Sequence, residues 1–150
     1  MTVQWTPRIW KRPYLATPLE VEALEKAWGV KLPEDYKQVA LMHQGMTPFP
    51  HVLDIGTGNT VISELLTISE SEDEDLRIYS MSDTYDLIKT YIPQGVYPFA
   101  TTATGDFICF DYRSSPDAPK VIFYFTEEAG EHALHHVAYS FTEFLSKLHD

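Results

Sequence analysis

Residues Tyr97–Thr126 read YPFATTATGDFICFDYRSSPDAPKVIFYFT, and this stretch decides the fold. Thr104-Gly105-Asp106 separates the run Tyr97–Ala103 from Phe107–Arg113, and Ser114–Pro119 separates that run from Lys120–Thr126. Gly, Asp, Ser and Pro reverse a chain, whereas the flanking runs are aromatic and β-branched, so the pattern predicts three strands with tight connections. In the middle run Phe107 and Cys109 point to one face, and Ile108, Phe110 and Tyr112 to the other. A strand apolar on both faces belongs in the interior of its sheet, with the rest of the molecule packed against it.

Working outward, Thr17-Pro18-Leu19-Glu20 has the composition of a helix start. Thr17 is the cap, Pro18 fits the first turn and Glu20 completes a capping box. Val21, Leu24, Ala27 and Trp28 make its buried stripe, and Gly29 ends it. A second helix begins after Leu32-Pro33, with Glu34 and Asp35 in its first turn and Tyr36, Val39, Ala40 and His43 on one face, and stops at Gly45. Met46–Pro50 reads as a turn, His51–Ile55 as a short strand and Gly56–Asn59 as a turn. Val61–Ile68 suits a strand or the start of a helix, and its apolar run does not separate the two. Ser69–Asp75 (SESEDED) reads as a solvated acidic loop. Asp83 is placed to cap a third helix with Leu87, Ile88 and Tyr91 inward. Beyond the central strands, His135–Tyr139 is a short strand, and Ser140-Phe141-Thr142-Glu143 opens a last helix whose apolar stripe is Phe141, Phe144, Leu145 and Leu148. The first sixteen residues hold Trp5, Pro7, Trp10 and Pro13 without a period and read as an irregular arm docked on the body.

Helices at both ends with strands clustered between them predict an α+β fold: a single, mostly antiparallel sheet with about four helices around it. The expected division is an arm over residues 1–16 on one domain over residues 17–150. A chain of 150 residues with 44% hydrophobic content is long enough to bury a core. Its apolar runs fall short of the roughly 20 residues of a membrane helix, and no charged-then-apolar leader opens the sequence. A lone cysteine, Cys109, forms no internal disulfide, and the expected compartment is the cytoplasm.

The formal net charge of −11 disfavours nucleic acid as a direct partner and favours a basic protein. Cys109 lies among Phe107, Ile108 and Phe110, where a buried thiol is inert. Glu131-His132-Ala133-Leu134-His135-His136 lacks zinc-site spacing and reads as surface histidines. Gly56-Thr57-Gly58-Asn59-Thr60 lacks the third glycine and the lysine of a nucleotide loop, and there is no Gly-x-Ser-x-Gly elbow. The residues therefore supply no catalytic set, metal or cofactor. The expected binding surface is the acidic stretch Glu70, Glu72, Asp73, Glu74 and Asp75, extended by Asp83 and Asp86, with Tyr79, Tyr85 and Tyr112 as aromatic contacts. Asp106 and Asp111 are further candidates. Asp106 has a competing role in the hairpin turn, and Asp111 needs Arg113 or backbone donors if it is buried.

Leu32-Pro33-Glu34-Asp35-Tyr36-Lys37 followed by Gly45 resembles the LP-x-x-Y/F-K … G helix of the SUKH superfamily. Pro98-Phe99-Ala100 with Gly105–Asp111 is similar to that family's central hairpin, Val121–Tyr124 to its next strand, and Val137–Leu145 to its closing run. The chain departs at His43-Gln44-Gly45, where an Asn-Gly-Gly ending is frequent. The resemblance implies an α+β fold, and a bacterial immunity protein that binds and neutralises a cognate toxin, often a nuclease. Fungal relatives imply the alternative, a non-catalytic regulator or scaffold that binds an endogenous protein.

Overall fold

A computed structural model describes residues 2–56 and 58–150. Met1 of the arm and Thr57 of the predicted Gly56–Asn59 turn lie outside the described residues. Strands β3 (Val52–Ile55), β4 (Gly58–Leu65), β5 (Val96–Thr102), β6 (Phe107–Asp111), β7 (Lys120–Tyr124) and β8 (Leu134–Ala138) form a six-stranded sheet in that order, antiparallel throughout. The quoted stretch supplies β5, β6 and β7, and β6 is interior as its two apolar faces require. Residues 58–65 settle the ambiguous segment as strand β4.

Each face of the sheet has its own core. On one, Ile108 and Phe110 pack with Phe99, with Tyr36 of α2 (Glu34–His43), and with Phe141 and Phe144 of α5 (Phe141–Ser146), all fully buried. Tyr36 meets Phe110 edge-on at 5.1 Å and 80°, a favourable aromatic geometry. α1 (Pro18–Trp28) closes this side with Val21 and Leu24, and its capping box forms as the sequence predicts. On the other face Cys109, Ile122 and Tyr124 meet Ile88, Ile92 and Val96.

Several expectations change. The arm is irregular over residues 8–16, but Gln4–Pro7 (β1) pairs with Met46–Phe49 (β2), read from sequence as a turn, in a separate two-stranded sheet, so the expected single sheet is two. Side-chain contacts hold it, with Trp5 stacked on His43 at 5.4 Å and the Arg8 Nε donating to Glu64 at 2.9 Å. There are five α-helices among the described residues, because Asp73 caps a one-turn helix, α3 (Glu74–Arg77), inside the acidic stretch. The third expected helix, α4 (Met81–Ile88), is capped by Ser80, whose Oγ accepts from the Asp83 N–H; Asp83 is inside the helix. That earlier start puts Met81, Thr84 and Ile88 on the buried stripe. Leu87 and Tyr91, expected inward, are 72% and 71% exposed. The other helix cap holds: the Ser140 Oγ accepts from the Glu143 N–H at the start of α5.

Candidate partner-binding surface

Between β4 and α4 the chain makes an excursion that contains the acidic stretch. Its base is closed by backbone bonds, with the Thr67 N–H donating to Tyr79 O and the Met81 N–H to Thr67 O, both at 2.8 Å. Its start is fixed by Gln44, a side chain with 1% exposure directly after α2. The Gln44 Oε1 accepts from the backbone N–H groups of Ile68 (2.8 Å) and Ser69 (2.9 Å). The Gln44 Nε2 donates to Tyr14 O (2.8 Å) and Ser69 Oγ (3.0 Å). One buried amide thus ties the end of α2, the N-terminal segment and the root of the excursion together.

Glu70, Glu72, Asp73, Glu74 and Asp75 are all exposed, and Asp83 is half-buried. Among the described residues none of these six forms an ion pair. Asp86 does, with Lys89 at 3.2 Å, but both side chains are solvated and such a pair contributes little. Arg77, the one cation in this segment, turns its Nε to Ser71 O at 2.9 Å. The negative charge of the excursion is therefore left facing solvent.

Apolar side chains accompany it. Ile78 is 64% exposed, and with Asp83, Asp86 and Leu87 it lines one shallow recess. Glu70 and Ser82 line an adjoining one with Glu20 of α1. The recess at Ile78 thus combines the end of the excursion with the outer face of α4. Apolar contact ringed by acid is the composition of an interface core with a charged rim.

The other sequence candidates sit elsewhere. Tyr79 is half-buried at the base of the excursion. Tyr85 packs inward between Trp28 (5.4 Å) and Tyr97 (4.9 Å). Tyr112 is buried, its hydroxyl donating to Lys31 O at 2.7 Å; burial, then the charges of Glu25 and Tyr97, pushes its ionisation well above the usual range. Asp111 is buried at the end of β6 with Arg113 donating to it from N, Nε and Nη2, each at 3.0 Å. Burial alone would raise its pKa, but the hydrogen bonds and charge of Arg113, helped by Lys120, outweigh that and hold it low. Asp106 is buried at the β5–β6 turn. Tyr112 and Asp111 are thus corrected from surface contacts to interior groups paired within the fold, and Asp106, also buried, belongs to the hairpin turn and not to the acidic surface. Burial pushes the Cys109 thiol far up, as its setting predicts.

Sequence reading missed Ile78, Leu87 and Gln44. Ser80, three residues before Asp83, was the signal for Leu87: a helix begun there buries Met81, Thr84 and Ile88 and leaves Leu87 off the stripe.

The two opening helices, the antiparallel meander and the closing helix define an α+β protein whose most distinctive surface is acidic. A model of the SMI1 / KNR4 family (SUKH-1) matches residues 15–147, and the chain belongs to that family. Membership is consistent with an immunity protein or a related regulator. No curated protein matches the chain.

Proposed function

We propose that this chain is a non-catalytic cytoplasmic immunity protein that neutralises a basic toxin domain, of nuclease type, by covering its working surface. Its carboxylates would stand where a nuclease grips phosphates, with Ile78 and Leu87 as the dry centre of the contact. The observation behind this reading is the excursion Glu70–Asp75: among the described residues its acids form no ion pair, and the chain that follows exposes Ile78 and Leu87 beside Asp83 and Asp86. Unscreened charge of one sign speeds encounter with a partner of the other sign, and salt weakens that attraction.

Co-purification with a toxin domain encoded in the adjacent reading frame, followed by a sodium chloride titration, tests the proposal. A complex at low salt whose formation slows as salt rises supports it; no complex at low salt refutes it. The family also admits an endogenous regulator, and a genomic neighbourhood without a toxin frame would favour that reading.

A further inference from the structure

At the other end of β4 lies a recess that the acidic excursion does not touch. The seven-residue step from Thr60 to Thr67 spans roughly 23 Å of extended chain, so the two regions are well separated. The recess is about 530 Å³. Ile55 and Thr60 of the β3–β4 hairpin form one wall, and Phe123 and Phe125 the other. The two rings lie near-parallel at 6.2 Å and 21°, with Phe123 buried beneath and the half-buried Phe125 supplying the accessible apolar face. Glu127 and Glu128 stand at the rim, where Glu128 faces His135 at 3.3 Å.

Two polar groups here are incompletely matched. Asp106 is 3% exposed and lines the recess. Its Oδ1 accepts from Thr126 N and Oγ1, both 2.9 Å, and its Oδ2 accepts only from Thr104 Oγ1 at 2.7 Å. All three donors are neutral, and among the described residues no cation pairs with this carboxylate. Buried charge is ordinarily compensated by an opposite charge. Thr60, 8% exposed in the same recess, has an Oγ1 with no hydrogen-bond partner. A flat aromatic face, an uncompensated carboxylate and an acidic rim together fit a flat cation. The guanidinium group stacks on aromatic faces while donating in its own plane; a lysine ammonium does not.

We propose that this recess receives an arginine side chain from a loop of the partner protein. The guanidinium would lie against Phe125, with its donors toward Asp106 and the rim glutamates. This rests on the reading that the partner is a basic protein, but not on the excursion at the far end of the sheet.

The test is titration of 15N-labelled protein with acetyl-arginine-methylamide, followed by backbone NMR, with the lysine and citrulline analogues in parallel. The expected result is saturable shifts at the amides of Thr104, Asp106 and Thr126, with arginine at least about threefold tighter than lysine and citrulline inert. Asp106→Asn, which removes the charge and keeps one oxygen to accept from Thr126, should abolish the shifts. If that variant does not fold, the Glu127→Gln/Glu128→Gln pair should weaken binding about threefold or more. Citrulline matching arginine, shifts that fail to saturate, or unchanged binding in a folded variant would overturn the proposal. A toxin complex that forms while the arginine probe fails removes only the recess. An arginine probe that binds while no toxin complex forms removes only the toxin reading.

Discussion

Replacing Gln44 with methionine keeps the length of a buried side chain and deletes all four of its hydrogen bonds. A neutral hydrogen bond contributes about 1 kcal/mol net, and a buried N–H left without an acceptor costs about 1–3 kcal/mol. The Ile68 and Ser69 N–H groups lose their acceptor, so Gln44→Met should cost about 3–5 kcal/mol, a large share of the 5–15 kcal/mol typical of a domain. Urea unfolding should show a midpoint lowered by about 2 M with an unchanged slope. In thermal unfolding, Tm should drop by roughly 10–15 °C. Hydrogen exchange should accelerate first at the Ile68 and Ser69 amides, because the root of the excursion loosens before the sheet opens. A loss under about 0.5 kcal/mol, the range of an ordinary surface substitution, would refute the account of Gln44 as the anchor.

Three further predictions follow from the same contacts. Folded Asp111 binds protons less readily than the unfolded chain, so it adds stability at neutral pH that is lost in acid, as pH falls below about 4 through its lowered value. Asp111→Asn should therefore lower stability at neutral pH and flatten its decline in acid, measured by urea unfolding across pH; an unaltered acid limb would contradict the pairing with Arg113. Glu64 runs the opposite way: burial raises its pKa and Arg8 only partly offsets this, so its ionisation costs stability as pH rises. Arg8→Met should move the Glu64 midpoint in a carboxylate NMR titration further up, and the stability deficit of the variant should grow from acid to neutral pH. Ile78→Ser with Leu87→Ser should leave Tm within a few degrees, because both side chains are already in water, while weakening the toxin complex at least about tenfold.

The parts legible in the sequence were those written in local patterns. The period-2 runs flanked by Gly-Asp and Ser-Pro turns gave β5 to β7, and Thr17 with Glu20 gave the start of α1. The parts that failed depend on partners distant in the chain. Met46–Phe49 is a strand only because Gln4–Pro7 lies beside it, and that arm is held by Trp5 on His43 and Arg8 on Glu64. A cap at Asp83 would start the helix one turn late and put Leu87 inward; the cap is Ser80, and Leu87 faces solvent. The acidic stretch was visible as composition, but whether cations neutralise it depends on where Arg77 and Lys89 turn. Asp106, Asp111 and Tyr112 stand near chain reversals that commonly face water; here neighbouring segments cover them.

The central claim is that the excursion guides and holds a basic partner. Asp73 should be kept, since its Oδ1 caps α3, while Glu70, Glu72, Glu74 and Asp75 are changed to their amides. The deciding measurement is the association rate of the adjacent-frame toxin domain with this variant and with the native chain, across ionic strength. The account predicts a rate about tenfold or more slower at low salt, with most of the salt dependence gone. Equal rates with an equal salt slope would contradict it.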